Sequence, residues 1–305
     1  MIPDLAQRIA SLVRQLLGEI RPRLIQAALT GSHAENENLR HSDNFLSDFD
    51  LWMHQRYKEL LVEHLPSFVY ASEEADPEIV GDEMDPDVCV LVDPLDTSEL
   101  AVRGLFGYTH VMVYSRVRAR PVVAVVGDIF HYAQLYIAAD DGYGNDRAFL
   151  ITADGAEHVL DQTRSRVPLS EALVTNYMMR PDQRFQPLAR QQEFLKALSA
   201  PTGDGKSKGR IGVDFGSIGL CHVAAGFSDA MVEFAKGFAI WDLAPGHYIL
   251  HAAGGTVADL SGVPIPLDYD LRSLVDISDA MSRRQKFIAA RTTGLVEEIQ
   301  STLDL

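Results

Sequence analysis

Val88-Cys89-Val90-Leu91-Val92-Asp93-Pro94-Leu95-Asp96-Thr97-Ser98 is an apolar run that ends in two carboxylates and two hydroxyls. The run is short, β-branched and without alternation, the pattern of a buried strand. Pro94 lacks an N–H and has a fixed φ, so the strand is expected to stop at Asp93. Asp93 and Asp96 are then held close together in a stiff turn. Carboxylates that close repel one another unless a cation lies between them. Hard divalent ions such as Mg²⁺ take such oxygen ligands beside substrate phosphate. Taken alone, the stretch reads equally well as an acidic surface turn after a strand.

Composition narrows the choice. The chain has 305 residues, 47% of them hydrophobic, enough for one large domain or two ordinary ones. Its 27 basic and 43 acidic side chains give a net charge of −16. That balance argues against a nucleic-acid polymer as partner, because phosphate backbones need Lys and Arg. A small phosphorylated substrate stays open, since a metal ion inverts the local charge. Cys89 and Cys221 both lie in apolar surroundings and read as small core residues. No apolar run approaches membrane-spanning length, and no signal-peptide pattern opens the chain, so a soluble, cytoplasmic protein with no membrane partner is expected.

Outward from the turn, residues 4–29 carry apolar side chains at helical spacing, with Pro22 expected to kink or split the helix. Residues 31–44 are polar and aperiodic, a loop long enough to act as a lid. Ser47-Asp48-Phe49-Asp50 opens a second helix, with Asp50 at its N-terminus, Leu51, Leu60, Leu61 and Leu65 buried, and Pro66 as its end. Residues 68–72 read as a strand leading into Glu73-Glu74, and residues 76–87 as a loop. After Ser98 come strands at 109–117 and 121–130 joined as a hairpin, then 133–138 and 149–152. Consecutive strands between helical ends indicate a layered α/β or α+β architecture rather than alternating βαβ units.

The second half begins near residue 165. A strand is expected at 172–176, a helix at 190–198, a polar loop at 201–210 and a small-residue helix at 216–225. A strand over 229–234 carries Glu233 at its end. Ile240-Trp241-Asp242 leads into a further helix, with Pro245 in its first turn. Other tempting patterns fail. Residues 203–207 end like a phosphate-binding loop, but Ala200 stands at the first Gly position. His247 and His251 lack the Glu after the first His that a zinc protease motif requires.

Three acidic sites thus stand out: Glu73-Glu74, Asp93 with Asp96, and Asp242. If the first two follow parallel neighbouring strands, their carboxylates converge, and with Asp242 they suit a cluster of two or three Mg²⁺ ions of the kind used in phosphoryl transfer. The Leu95 carbonyl is a further oxygen donor. Thr97 and Ser98 offer hydroxyls and backbone N–H groups to phosphate.

Asp93-Pro94-Leu95-Asp96-Thr97-Ser98 resembles the D-P-[IL]-D-[GS]-[TS] signature of the inositol monophosphatase family, which is grouped with fructose-1,6-bisphosphatase and 3′-phosphoadenosine phosphatase. Ser72-Glu73-Glu74 resembles its G-E-E, and residues 240–246 resemble its W-D-x-A-A-G, in the same order along the chain. The resemblance implies a layered αβαβα sandwich of the sugar-phosphatase type, with an N-terminal α+β half over 1–160 and a C-terminal α/β half over 161–305. It implies Glu73, Asp93, Asp96, Asp242 and the Leu95 carbonyl as metal ligands, with Glu73 also counted among the catalytic groups. Ser98 and Asp50 match the hydroxyl–carboxylate pair that helps activate the attacking water. Thr97, Ser98, Gly216, Ser217 and Glu233 are implied to contact substrate, Glu233 through hydroxyls.

The implied activity is Mg²⁺-dependent hydrolysis of a small-molecule phosphate monoester, a sugar or cyclitol monophosphate, by metal-activated water. The implied protein is lithium-sensitive and homodimeric. The alternatives are nucleotide 3′-phosphatase activity, fructose-1,6-bisphosphatase activity, or a homologue that binds metal and phosphate without turnover. Four departures bear on specificity and rate. Thr97 stands where Gly is usual, Pro245 replaces a small residue, Ser72 replaces Gly, and residues 1–57 hold no Lys for the lid, Arg40 being only a loose substitute.

Overall fold

The computed structural model describes residues 2–32, 35–36, 45–161 and 167–304. Arg40 and most of the expected lid lie outside the described residues. The chain forms two compact units, Met1–Val159 with Leu267–Ser282, and Leu160–Pro266 with Arg283–Leu305. Both layer helices on a mixed or antiparallel-rich sheet, the α+β class expected from the strand-rich middle of the sequence.

The first unit contains α1 (Asp4–Thr30), a short pair β1 (Glu35–Asn36) and β2 (Leu46–Ser47), α2 (Asp48–Leu61), β3 (Ser67–Ser72), β4 (Ala75–Gly81), β5 (Val88–Asp96) and α3 (Ser98–Ala101). It continues with β6 (Tyr108–Ser115), β7 (Arg120–Asp128), β8 (Ala133–Asp140), β9 (Asp146–Thr152) and β10 (Glu157–Leu160), and α8 (Leu274–Ser282) returns to it from downstream. Its eight-stranded sheet has the order β10-β9-β8-β7-β6-β5-β3-β4. Ile9, Val13, Leu16 and Leu17 of α1 and Met53, Tyr57 and Leu61 of α2 share one core with Val90, Val92, Val111, Val113 and Val125 of the sheet. Truncating such a residue, Leu16→Ala for example, costs about 2–5 kcal/mol.

Four expectations are corrected here. α1 runs unbroken through Pro22. The lost backbone bond is outweighed because Ile20, Leu24 and Ala27 stay buried in register on both sides of it. Leu51 is 44% exposed, and the buried side of α2 is formed instead by Asp50, Met53, Tyr57, Leu60 and Leu61. α2 also ends at Leu61, short of Pro66. Within the expected loop at 76–87, Ala75–Gly81 is an edge strand antiparallel to β3. At an edge, Pro77 interrupts no inner ladder.

The second unit carries β11 (Leu173–Asn176), α4 (Gln186–Ala189), α5 (Gln192–Leu198), β12 (Arg210–Val213), α6 (Gly216–Ala225), β13 (Ala230–Phe238), α7 (Ile240–Ala252), β14 (Thr256–Ala258), β15 (Gln285–Ala290) and α9 (Thr293–Gln300). Its sheet has the order β12-β11-β13-β15-β14. Val174, Val232, Ile288 and Ala290 form the centre of its core with Phe194, Leu295 and Ile299. β12, which begins where the polar loop expected at 201–210 ends, is an edge strand parallel to β11. β13 continues past Glu233 to Phe238, through a register shift between those two residues. Cys89 and Cys221 are both buried, and burial pushes the Cys89 thiol up to about 12.

Candidate functional site

β3 and β5 are parallel neighbours, with Ser72 opposite Val92. Glu73 extends this pairing, its N–H donating to the Val92 carbonyl at 3.2 Å. Glu73, just after β3, and Asp93, inside β5, are therefore adjacent along the sheet. β5 does not stop at Asp93. It pairs with β6 through Asp93 opposite His110 and Asp96 opposite Tyr108, with a bulge between. The bulge accommodates Pro94, whose missing N–H leaves no ladder bond unmade there.

Past Asp96 the chain turns sharply. Thr97 has φ 59° and ψ 38°, left-handed backbone in which a β-branched residue is strained. The Gly usual at this point of the motif is thereby explained. The Thr97 hydroxyl is buried without a hydrogen-bond partner. Ser98 starts α3 and donates its hydroxyl to Asp50 Oδ1 at 2.6 Å, with the Leu95 carbonyl as a second acceptor at 2.8 Å.

Asp50 is itself locked in place. Its Oδ2 accepts the Ser47 N–H at 2.7 Å and the Ser47 hydroxyl at 2.6 Å, while Phe49 N–H donates to the Ser47 hydroxyl. This is a capping box in which Asp stands at N3. Capping and the grip on Ser98 thus use different oxygens of one carboxylate. Asp50 is 1% exposed, and burial pushes its carboxyl up to about 6 against the pull of these donors.

The reading of the sequence did not include His110. Its imidazole is fully buried, with Nδ1 3.6 Å from Asp93 and Nε2 3.4 Å from Asp96. Asp93, Asp96 and His110 each offer a ligand atom, all within 4.8 Å of one another. Two carboxylates and an imidazole form a chemically sound donor set for a divalent cation. The signal for His110 was present as a polar residue in an apolar strand, but its register against Asp93 is a long-range fact.

In the second unit the motif residues sit where α6 meets α7. The Ser217 hydroxyl is buried, donates to the Asp242 carbonyl at 2.8 Å and accepts the Gly246 N–H at 3.0 Å. Gly246 and Asp242 are i and i−4 in α7, so this hydroxyl bridges a helix rung next to Pro245. Ser217 therefore shapes the first turn of α7, with its donor and acceptor capacity engaged there. A Cβ on Gly246 would lie 2.5 Å from the Ser217 carbonyl oxygen. Gly216, at φ 24°, begins α6. The Asp242 carboxylate is half-buried, 3.6 Å from the Arg284 guanidinium, which lies over the Trp241 ring.

Glu233 departs from expectation. It is fully buried in β13 rather than presented at a strand end. Oε1 accepts the N–H groups of Ala235, Lys236 and Gly237 at 3.0, 3.0 and 3.1 Å, which shapes the register shift of β13. Oε2 pairs with Arg184. The guanidinium is held 4.3 Å from the Tyr177 ring centre and 5.4 Å from that of Phe238. Burial pulls Arg184 down to about 10, so it remains charged at neutral pH. Both Glu233 oxygens are engaged within the unit. Arg184 was not singled out because nothing local marks a partner 49 residues away. His247 is buried in α7, and burial pulls it down to about 3.

Solved structures share this arrangement of layered helices and sheets. The structure of SuhB from Bartonella henselae superposes with a TM-score of 0.66 over 97% of this chain and 98% of that one, at 18% identity. Fructose-1,6-bisphosphatase from Leishmania major gives 0.68 over 97% and 93%, at 12% identity. Among curated proteins, the Nus factor SuhB of Pasteurella multocida is 26% identical over 228 residues, 73% of this chain and 75% of that protein. The inositol monophosphatase family model matches residues 5–301, and the chain belongs to that family. The family acts on small phosphate monoesters. No helix among the described residues is long and apolar enough to cross a membrane.

Proposed function

We propose that this chain is a divalent-metal-dependent phosphohydrolase that cleaves a small phosphate monoester. The observation that carries this reading is the Ser98–Asp50 hydrogen bond beside the Asp93–Asp96 turn. It couples a hydroxyl to a buried carboxylate with a pKa near neutrality, the pairing needed to move a proton from an attacking water. In this reading the water donates to Ser98 Oγ, and the Ser98 proton passes to Asp50 Oδ1. Ser47 holds Asp50 so that Oδ1 faces Ser98. The water oxygen attacks phosphorus in line as the ester oxygen leaves.

Asp93, Asp96, Glu73 and the Leu95 carbonyl would hold the cation, with Asp242 joining them on the strength of its motif. The resemblance implies Mg²⁺, two or three ions. Such ions, when bound, neutralise phosphate charge and lower the pKa of water. Thr97 and Ser98 are proposed to contact phosphate, consistent with the Thr97 hydroxyl having no hydrogen-bond partner among the described residues. A sugar or cyclitol substrate rests on the family resemblance alone, since Glu233 is engaged with Arg184.

A phosphate-release screen over sugar, cyclitol and nucleotide monophosphates with Mg²⁺ tests the reading. Release from at least one class is expected, lost with chelator and reduced about 10³-fold or more in Asp93→Asn. No metal-dependent release from the whole panel contradicts it.

A further inference from the structure

The strand facing the Asp93–Asp96 turn carries a nitrogen donor that none of the family motifs includes. His110 is directly opposite Asp93 in the antiparallel register of β5 and β6. Opposed residues in such a pair place their side chains on one face, within reach of each other. The local register is fixed by neighbouring bonds. The Thr109 hydroxyl donates to the Asp93 carbonyl at 3.2 Å and is hydrogen-bonded to the buried Tyr57 hydroxyl at 2.6 Å. The imidazole is buried edge-on to both carboxylates, 3.6 Å from Asp93 and 3.4 Å from Asp96.

The two distances belong to different imidazole nitrogens. One nitrogen and one carboxylate oxygen from each of Asp93 and Asp96 still lie within 4.8 Å of one another, the spread that donors around one ion occupy. Metal–nitrogen and metal–oxygen bonds of about 2.0–2.2 Å place neighbouring donors roughly 3–3.5 Å apart. Donor type then bears on which ion is favoured. Mg²⁺ demands oxygen ligands and dehydrates reluctantly. Imidazole nitrogen favours first-row transition ions, whose affinities rise along the series from Mn²⁺ to Cu²⁺. We propose that Asp93, Asp96 and His110 form a mixed nitrogen–oxygen position that takes a first-row transition ion in preference to Mg²⁺. The proposal rests on the metal-site reading above and sharpens it. One position of the cluster is selective through His110, and the all-oxygen positions remain suited to Mg²⁺.

The test uses the full chain stripped of metal, titrated calorimetrically with Co²⁺ and with Mg²⁺. The wild type is expected to bind Co²⁺ at least about 100-fold more tightly than Mg²⁺. His110→Asn is expected to lose about 10–100-fold in Co²⁺ affinity with Mg²⁺ affinity changed less than about threefold. Equal losses for both ions, or unchanged Co²⁺ affinity, overturn the proposal. A second readout needs no substitution. Proton NMR of the Co²⁺-loaded wild type should show a hyperfine-shifted, exchangeable imidazole N–H, and its absence also overturns the proposal. The two readings separate cleanly. Mg²⁺-dependent phosphate release that is sensitive to Asp93→Asn, together with Co²⁺ binding indifferent to His110, defeats this inference alone. Histidine-ligated Co²⁺ in a chain that releases no phosphate defeats the phosphatase reading alone.

Discussion

Asp50 in the first unit and Glu233 in the second are both buried carboxylates beside family motifs, yet their surroundings assign them opposite work. Asp50 is held by neutral donors only, the Ser47 N–H and the hydroxyls of Ser47 and Ser98. Burial outweighs those bonds, and its carboxyl sits at about 6, where it can take and return a proton. Glu233 is clamped by three N–H groups and a guanidinium that is itself wedged between two aromatic rings. Such a carboxylate is fixed in position. Motif position nominates both residues, and their partners separate a carboxylate held by neutral donors from one held by a guanidinium.

The comparison breaks most visibly at the anchor. Arg184→Met leaves Glu233 buried and without its cation, and is expected to destabilise the chain by about 3–5 kcal/mol in denaturant titrations. A loss below about 1 kcal/mol would show that Glu233 does not depend on Arg184. The next effect is a pH dependence. The folded pKa of Asp50, about 6, exceeds the ordinary 3.8, so the folded state holds the proton more tightly. Stability from this group is complete below about pH 4 and is lost as pH rises through 6, at a cost of roughly 3 kcal/mol. With chelator present, wild-type stability relative to Asp50→Asn should fall by that amount between pH 4 and 7.5. The smallest effect concerns Thr97. Thr97→Gly relieves left-handed strain and is expected to gain about 1 kcal/mol, read as a higher denaturation midpoint, after the greater chain entropy of Gly is counted.

Features governed by near neighbours were legible in the sequence. α6 starts and ends where small residues and Gly226 dictate, the apolar run of β5 is buried, and Ser47 with Asp50 announces a helix start. Errors arose where distant contacts override local preference. Packing on the sheet carries α1 through Pro22, a bulge carries β5 past Pro94, and pairing with β3 turns residues 75–81 from loop into strand. The same divide runs through the candidate site. Asp50, Ser98, Asp93 and Asp96 are singled out by a short motif and a fixed spacing. His110 and Arg184 were missed because strand register and a pairing across 49 residues place them.

The central claim is that Asp50, through Ser98, moves the proton in phosphate-ester hydrolysis, while Glu233 does not take part. The most direct measurement is kcat for phosphate release from the best monoester of the screen, at saturating divalent metal, in wild type, Asp50→Asn and Glu233→Gln, each confirmed folded. The account predicts a fall of about 10²–10⁴-fold for Asp50→Asn, with folded Glu233→Gln within about threefold of wild type. Wild-type kcat in Asp50→Asn, or an equal collapse in folded Glu233→Gln, would contradict it.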